Sequence, residues 1–129
     1  MKFGMGLQLV LVATGGAVGA ALRYLAGVLI PVGFGFPWAT LAVNVIGCFS
    51  IGLIVGYFEN ELWYQNWGRY LIVIGILGGL TTFSAFSYEI IDLGNNDRWS
   101  LAASYALISI LGSLVAAVLG YKLANQLVG

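Results

Sequence analysis

Between Tyr70 and Ile91 the chain carries an apolar run long enough to cross a bilayer, interrupted at its centre. A segment that only crossed lipid would be mostly Leu, Ile, Val and Phe there. Instead Gly78-Gly79 is followed by four hydroxyls, at Thr81, Thr82, Ser84 and Ser87. Glycine weakens a helix by about 1 kcal/mol relative to alanine, so the pair followed by Thr81-Thr82 predicts a helix break. Backbone carbonyls freed at membrane depth are tolerated only where protein covers them or where they line a polar cavity. The stretch from Gly75 to Glu89 is therefore expected to line or bind something, with the rest of the chain arranged around it.

The membrane setting follows from composition. Only 8% of the 129 residues are charged and 60% are hydrophobic, against about 25% charged in soluble domains. Such a chain cannot solvate a globular surface, so it is expected to be an all-α integral membrane protein. At about 20 residues per span its length holds four helices and no extramembrane domain. The apolar runs cover approximately 7–30, 39–58, 69–91 and 101–123, and make residues 1–129 a single four-helix membrane domain. Their continuity excludes the short alternating strands of a transmembrane barrel. Lys2 before the first run resembles a signal peptide, but the run is too long for one and no cleavage site follows, so it is expected to stay as a span.

Five basic residues balance five acidic ones, and no basic patch points to nucleic acid. Histidine is absent, which removes the usual general base. Cys48 is alone and reads as a small buried hydrophobe. No nucleophile–base pair, phosphate loop or cofactor fingerprint is visible, so an enzyme is not expected.

Polar residues within the spans carry the functional signal. Gly15 and Gly19 make a small-residue face in the first span, and Gly52 and Gly56 another in the second; both are expected to pack against neighbouring helices. Arg23 either snorkels to the interface or faces an aqueous vestibule. Asn44 is a lone amide in the second span, either an interhelical tie or a donor into a pore. Tyr105, Ser109 and Ser113 stand four residues apart and so stack on one face of the fourth span. They either bond back to their own helix or line a polar path. The segment from Glu59 to Trp67 is expected to be an interfacial loop, and Trp38 an interfacial anchor.

Four spans return the chain to the face where it starts. Lys2, Arg69 and Lys122 fall on that face, and Arg98, with Arg23 if it snorkels, on the other. Orientation follows the Lys/Arg bias, and three against two is almost none, so insertion in both directions is expected. Three function classes fit these features: a permeation pathway, a non-conducting assembly subunit whose polar residues are glue, and a small proton-coupled multidrug exporter. The exporter needs an acidic residue in its first span, and this one has none.

Gly78-Gly79-Leu80-Thr81-Thr82-Phe83-Ser84-Ala85-Phe86-Ser87 resembles the central motif of the Fluc/CrcB family of fluoride ion channels. The likeness extends to Gly15-Gly16 with Gly19-Ala20 and Arg23, to Thr40 with Asn44, and to Tyr105, Ser109 and Ser113, so it covers essentially the whole chain. It implies a dual-topology antiparallel homodimer in the cell inner (plasma) membrane that passively exports fluoride through two pores and confers fluoride resistance. It implies that Phe83 and Phe86 face the pores, that Asn44, Ser84, Glu89, Tyr105, Ser109 and Ser113 line them, and that Arg23 sits near a vestibule. It implies a structural sodium ion at the dimer interface, held by the backbone carbonyls of Gly78 and Thr81. The chain departs from the family at Ala85, where a hydroxyl is usual, and at Ala117, where some members extend the fourth-helix polar track.

Overall fold

The computed structural model describes residues 3–129, so Lys2 of the charge count lies outside the described residues. Helix α1 covers Met5–Leu29 and ends where Ile30 turns extended ahead of Pro31, as steric clash with a following proline ring requires. Helix α2, Trp38–Phe58, starts directly after Pro37. Helix α3, Tyr64–Leu77, is wound wide, with the Gly78 amide bonding back to the Val73 carbonyl, and one tighter turn, Gly78–Leu80, completes it. Helix α4, Ser84–Asn95, continues in the same span, and α5 is Trp99–Val128. The four spans Met5–Leu29, Trp38–Phe58, Tyr64–Asn95 and Trp99–Val128 are each long and apolar enough to cross a membrane.

The helices assemble as two close pairs, α1 on α3 and α2 along α5, with α4 leaning on α5. Both small-residue faces make these contacts. A Cβ on Gly15 or Gly19 would overlap the carbonyl oxygen of Leu71 or Ile76, and one on Gly52 would overlap that of Ala117. Without a hydrophobic force between helices in lipid, such close backbone approach supplies the association through van der Waals contact.

Two expectations are corrected. The expected loop from Glu59 to Trp67 is shorter, because the chain is already helical at Leu62. Trp63 stacks there against Phe58 and Trp67, with ring centroids 4.9 and 5.4 Å away. The helix break does occur in mid-span, but not at the glycine pair. Gly78 and Gly79 are still helical, and the backbone becomes extended at Thr81 (φ −80°, ψ 151°). The reason is packing: a Cβ on Gly79 would lie 2.6 Å from the Gly16 carbonyl oxygen, so this glycine serves the α1 contact. The break falls two residues later, where a side chain from α2 takes the Thr82 amide.

Candidate functional site

That side chain is Asn44. Its Oδ1 accepts from the Thr82 amide at 2.8 Å and its Nδ2 donates to the Thr82 carbonyl at 3.0 Å. A primary amide has one acceptor and one donor side, so it can replace a helical turn's bonds in both directions. The Thr82 hydroxyl accepts from the Ala85 amide at 3.1 Å and caps the start of α4. The break is thus held from α2 and from within, while on its α1 side Arg23 Nε donates to the Gly79 carbonyl at 3.1 Å. Arg23 therefore ties α1 to the last helical turn before the break.

Beside the break lies a cleft of about 340 Å³. Its wall includes Asn44, Thr82, Phe83, Phe86, Ser109 and Ser113, with Cys48 and Thr81 contributing. The structure therefore gathers five of the expected pathway residues, Asn44, Phe83, Phe86, Ser109 and Ser113, from three separate spans. The Phe83 and Phe86 ring centroids are 5.4 Å apart at 49°. Their exposures differ sharply: Phe86 is 7% exposed and packs in the core, whereas Phe83 is 73% exposed. Phe83 stands just ahead of α4, in the break, so spacing alone did not separate the two. The Ser109 hydroxyl is buried and has no hydrogen-bond partner among the described residues.

Three expected residues, Ser84, Glu89 and Tyr105, lie off the cleft wall. Ser84 is exposed at the start of α4, with its hydroxyl 3.2 Å from that of Thr82. Glu89 forms a knot behind Phe86, where one carboxylate oxygen accepts from Thr40 and the other from Tyr105, each at 2.6 Å. Tyr105 is fully buried and its ring centroid is 5.2 Å from that of Phe86, which links knot and cleft. Thr40 was missed as a site residue, although it stands four residues before Asn44 on one face of α2. Phe36 was missed as well, because nothing in a loop sequence shows that its ring is buried at 7% exposure.

The expected sodium ligands are backbone groups, so the test is whether their carbonyls are free. Among the described residues no hydrogen bond ends on the carbonyl of Gly78 or Thr81. The Thr82 and Ala85 amides, which would reach them in an unbroken helix, go to Asn44 and to the Thr82 hydroxyl instead. Two unpartnered carbonyls at membrane depth call for a partner, and hard oxygen donors suit a hard cation. The residues present fit the group.

Residues 10–121 match the family model described as CrcB-like protein, Camphor Resistance (CrcB). The chain is 42% identical over 123 residues to a protein of Agrobacterium fabrum named fluoride-specific ion channel FluC, covering 94% of this chain and 98% of that one. It is 44% identical over 122 residues to a protein of that name from Thermus thermophilus, covering 92% and 96%. A third, from Chloroflexus aurantiacus, is 37% identical over 116 residues, covering 88% and 92%.

Proposed function

The chain belongs to the CrcB family and is a multi-pass membrane fluoride channel, and from that premise we propose that it lets fluoride leave the cytoplasm passively through two pores of an antiparallel homodimer. In a bacterium its place is the plasma membrane. It is a conduit and catalyses no reaction.

The observation that carries this reading is the cleft. Phenylalanine rings are positive at the edge, and here two of them stand with an amide and two hydroxyls around one space. Such a wall can solvate an anion by ring edges and O–H or N–H donors without a full positive charge. A fixed cation on the path would hold fluoride too tightly to let it leave. Within one protomer the cleft is open on one side, and Phe83 at 73% exposure awaits a covering surface. A second, inverted copy would supply it. Purified protein in lipid vesicles should pass fluoride in strong preference to chloride. A one-sided label on the C-terminus should mark both faces of those vesicles. Equal passage of the two anions would sink the fluoride reading, and labelling on one face alone would sink the antiparallel dimer.

Gly78 and Thr81 from the two copies would hold a sodium ion at the dimer interface. When bound, the ion supplies fixed positive charge that ties the two breaks together. Thr81→Ala should leave dimerisation in sodium buffer nearly unchanged, because the donor is backbone and the Thr81 hydroxyl bonds to the Leu77 carbonyl. Gly78→Val places a branched side chain beside its own carbonyl and should lower the dimer fraction at least tenfold. Dimer fraction by light scattering, in sodium and in a bulky organic cation, checks this. A dimer indifferent to both substitution and cation would exclude the site.

A further inference from the structure

Helix α2 carries three glycines, Gly47, Gly52 and Gly56, and its neighbours press on them differently. A Cβ on Gly52 would overlap the Ala117 carbonyl oxygen, and one on Gly56 would lie 2.9 Å from both the Tyr121 carbonyl oxygen and the Ala124 Cβ. These two serve the seam with α5. At Gly47 the nearest atoms all belong to side chains at the break: the Thr81 Cγ2 methyl, which a Cβ would overlap, Thr81 Cβ at 3.8 Å and Leu80 Cδ2 at 3.9 Å. Gly47 is buried and stands three residues after Asn44, so both address the break from one face of α2. The glycine meets Thr81, and the amide meets Thr82.

Thr81 is where the chain leaves the helix. Its amide still bonds to the Leu77 carbonyl at 3.0 Å, while its ψ of 151° is already extended. Both branches on its Cβ are held. The hydroxyl donates to the Leu77 carbonyl at 2.8 Å, and the methyl rests on Gly47. A β-branched side chain has few χ1 states, so turning the methyl away from α2 would also break the hydroxyl's bond. The peptide between Thr81 and Thr82 is thus fixed at two points, by the seated methyl on one side and by Asn44 Oδ1 on the Thr82 amide at the other. In a planar trans peptide the carbonyl points opposite to the amide N–H. With that N–H aimed at α2, the Thr81 carbonyl is aimed away from it, and no hydrogen bond among the described residues ends on it.

We propose that Gly47 is a positioning residue whose missing side chain seats the Thr81 methyl, and that this seat aims the Thr81 carbonyl at the sodium ion between two copies. This rests on the sodium site of the reading above. Gly47 touches neither the ion nor the anion. A methyl added there lifts the Thr81–Thr82 peptide off α2, loosens the Asn44 clasp and turns the carbonyl from the ion.

The test uses the full-length protein in micelles, with dimer fraction and melting temperature measured in sodium and in a bulky organic cation. Gly47→Ala should lower the dimer fraction in sodium at least tenfold and lose most of the rise in melting temperature that sodium gives the parent. The rescue is steric. Thr81→Ser keeps the hydroxyl but removes Cγ2, which leaves the new Cβ only the contacts at 3.8 and 3.9 Å. In that background Gly47→Ala should change the dimer fraction less than twofold. Additive effects of the two substitutions would overturn the proposal, because the seat acts only through the methyl. A glycine that merely packed α2 would, on substitution, lower the melting temperature equally in both cations and leave the sodium rise intact, and that result overturns it too. Should Gly47→Ala fail to fold, the double variant decides: a folded protein with the sodium response of Thr81→Ser supports the seat, and an unfolded one refutes it. Backbone amide exchange over residues 79–85 in the organic cation reads the seat without sodium. It should accelerate in Gly47→Ala and return in the double variant. Should the parent gain nothing from sodium, the sodium reading fails, while exchange still decides the seat; unchanged exchange refutes it.

Discussion

A Phe83→Ile, Phe86→Ile double variant is expected to fold, keep its oligomeric state and lose fluoride efflux by orders of magnitude. Isoleucine keeps most of the apolar volume but removes the ring quadrupole whose positive edge meets an anion. At Phe86, 7% exposed in the core, the change should cost roughly 1–2 kcal/mol, well under the 3–5 of a truncation to alanine. At Phe83, 73% exposed within one protomer, the stability cost should be smaller. If both rings were only packing, efflux would track the small loss of folded channel and stay near the parent rate. Efflux normalised to folded channel separates the two outcomes. A well-folded double variant at parental rate would defeat the ring-edge mechanism and leave Asn44, Ser109 and Ser113 as the path.

Asn44→Leu should damage both fold and flux. It leaves the Thr82 amide and carbonyl unpaired in the middle of a span. Each unsatisfied buried backbone group costs 1–3 kcal/mol in water-soluble proteins, and bonds within membranes average less, so a loss of about 2–4 kcal/mol is expected. The Thr82 amide should then bond back toward Gly78, restoring helix through the break and withdrawing a carbonyl that the sodium proposal needs. Asn44→Asp separates the two halves of the clasp, since a carboxylate accepts from the Thr82 amide but cannot donate to its carbonyl. Asp should therefore retain about half the stability lost in Leu, while Leu should reduce efflux at least tenfold. Unfolding in mixed micelles and efflux from vesicles measure each. A Leu variant as stable and as conductive as the parent would show that the break holds itself.

The membrane fold was legible because the bilayer simplifies the problem. Every backbone polar group must be satisfied within the protein, so four continuous apolar runs can only become four helices. The glycine faces were legible for a related reason, since only the smallest residues allow helix backbones to touch, as Gly15, Gly19 and Gly52 do. The interruption near Gly78 announced a break. Its register did not follow from local propensity, because Gly79 was needed against Gly16 and Asn44 took the amide at Thr82. Helix spacing put Tyr105, Ser109 and Ser113 on one face, but it could not show that Tyr105 ends on Glu89 while Ser109 is left without a partner. Nor could it show that Phe83 and Phe86, three residues apart, differ so widely in exposure. What the sequence by itself determined is the periodic and compositional part: spans, small-residue seams, and which side chains are polar where lipid would want none. What only the tertiary structure decided is which polar group meets which across spans, as with Asn44 and Thr82, Thr40 and Glu89, or Arg98 and Phe34, which lie 38, 49 and 64 positions apart. Such pairings depend on how whole helices cross, and no local propensity encodes that.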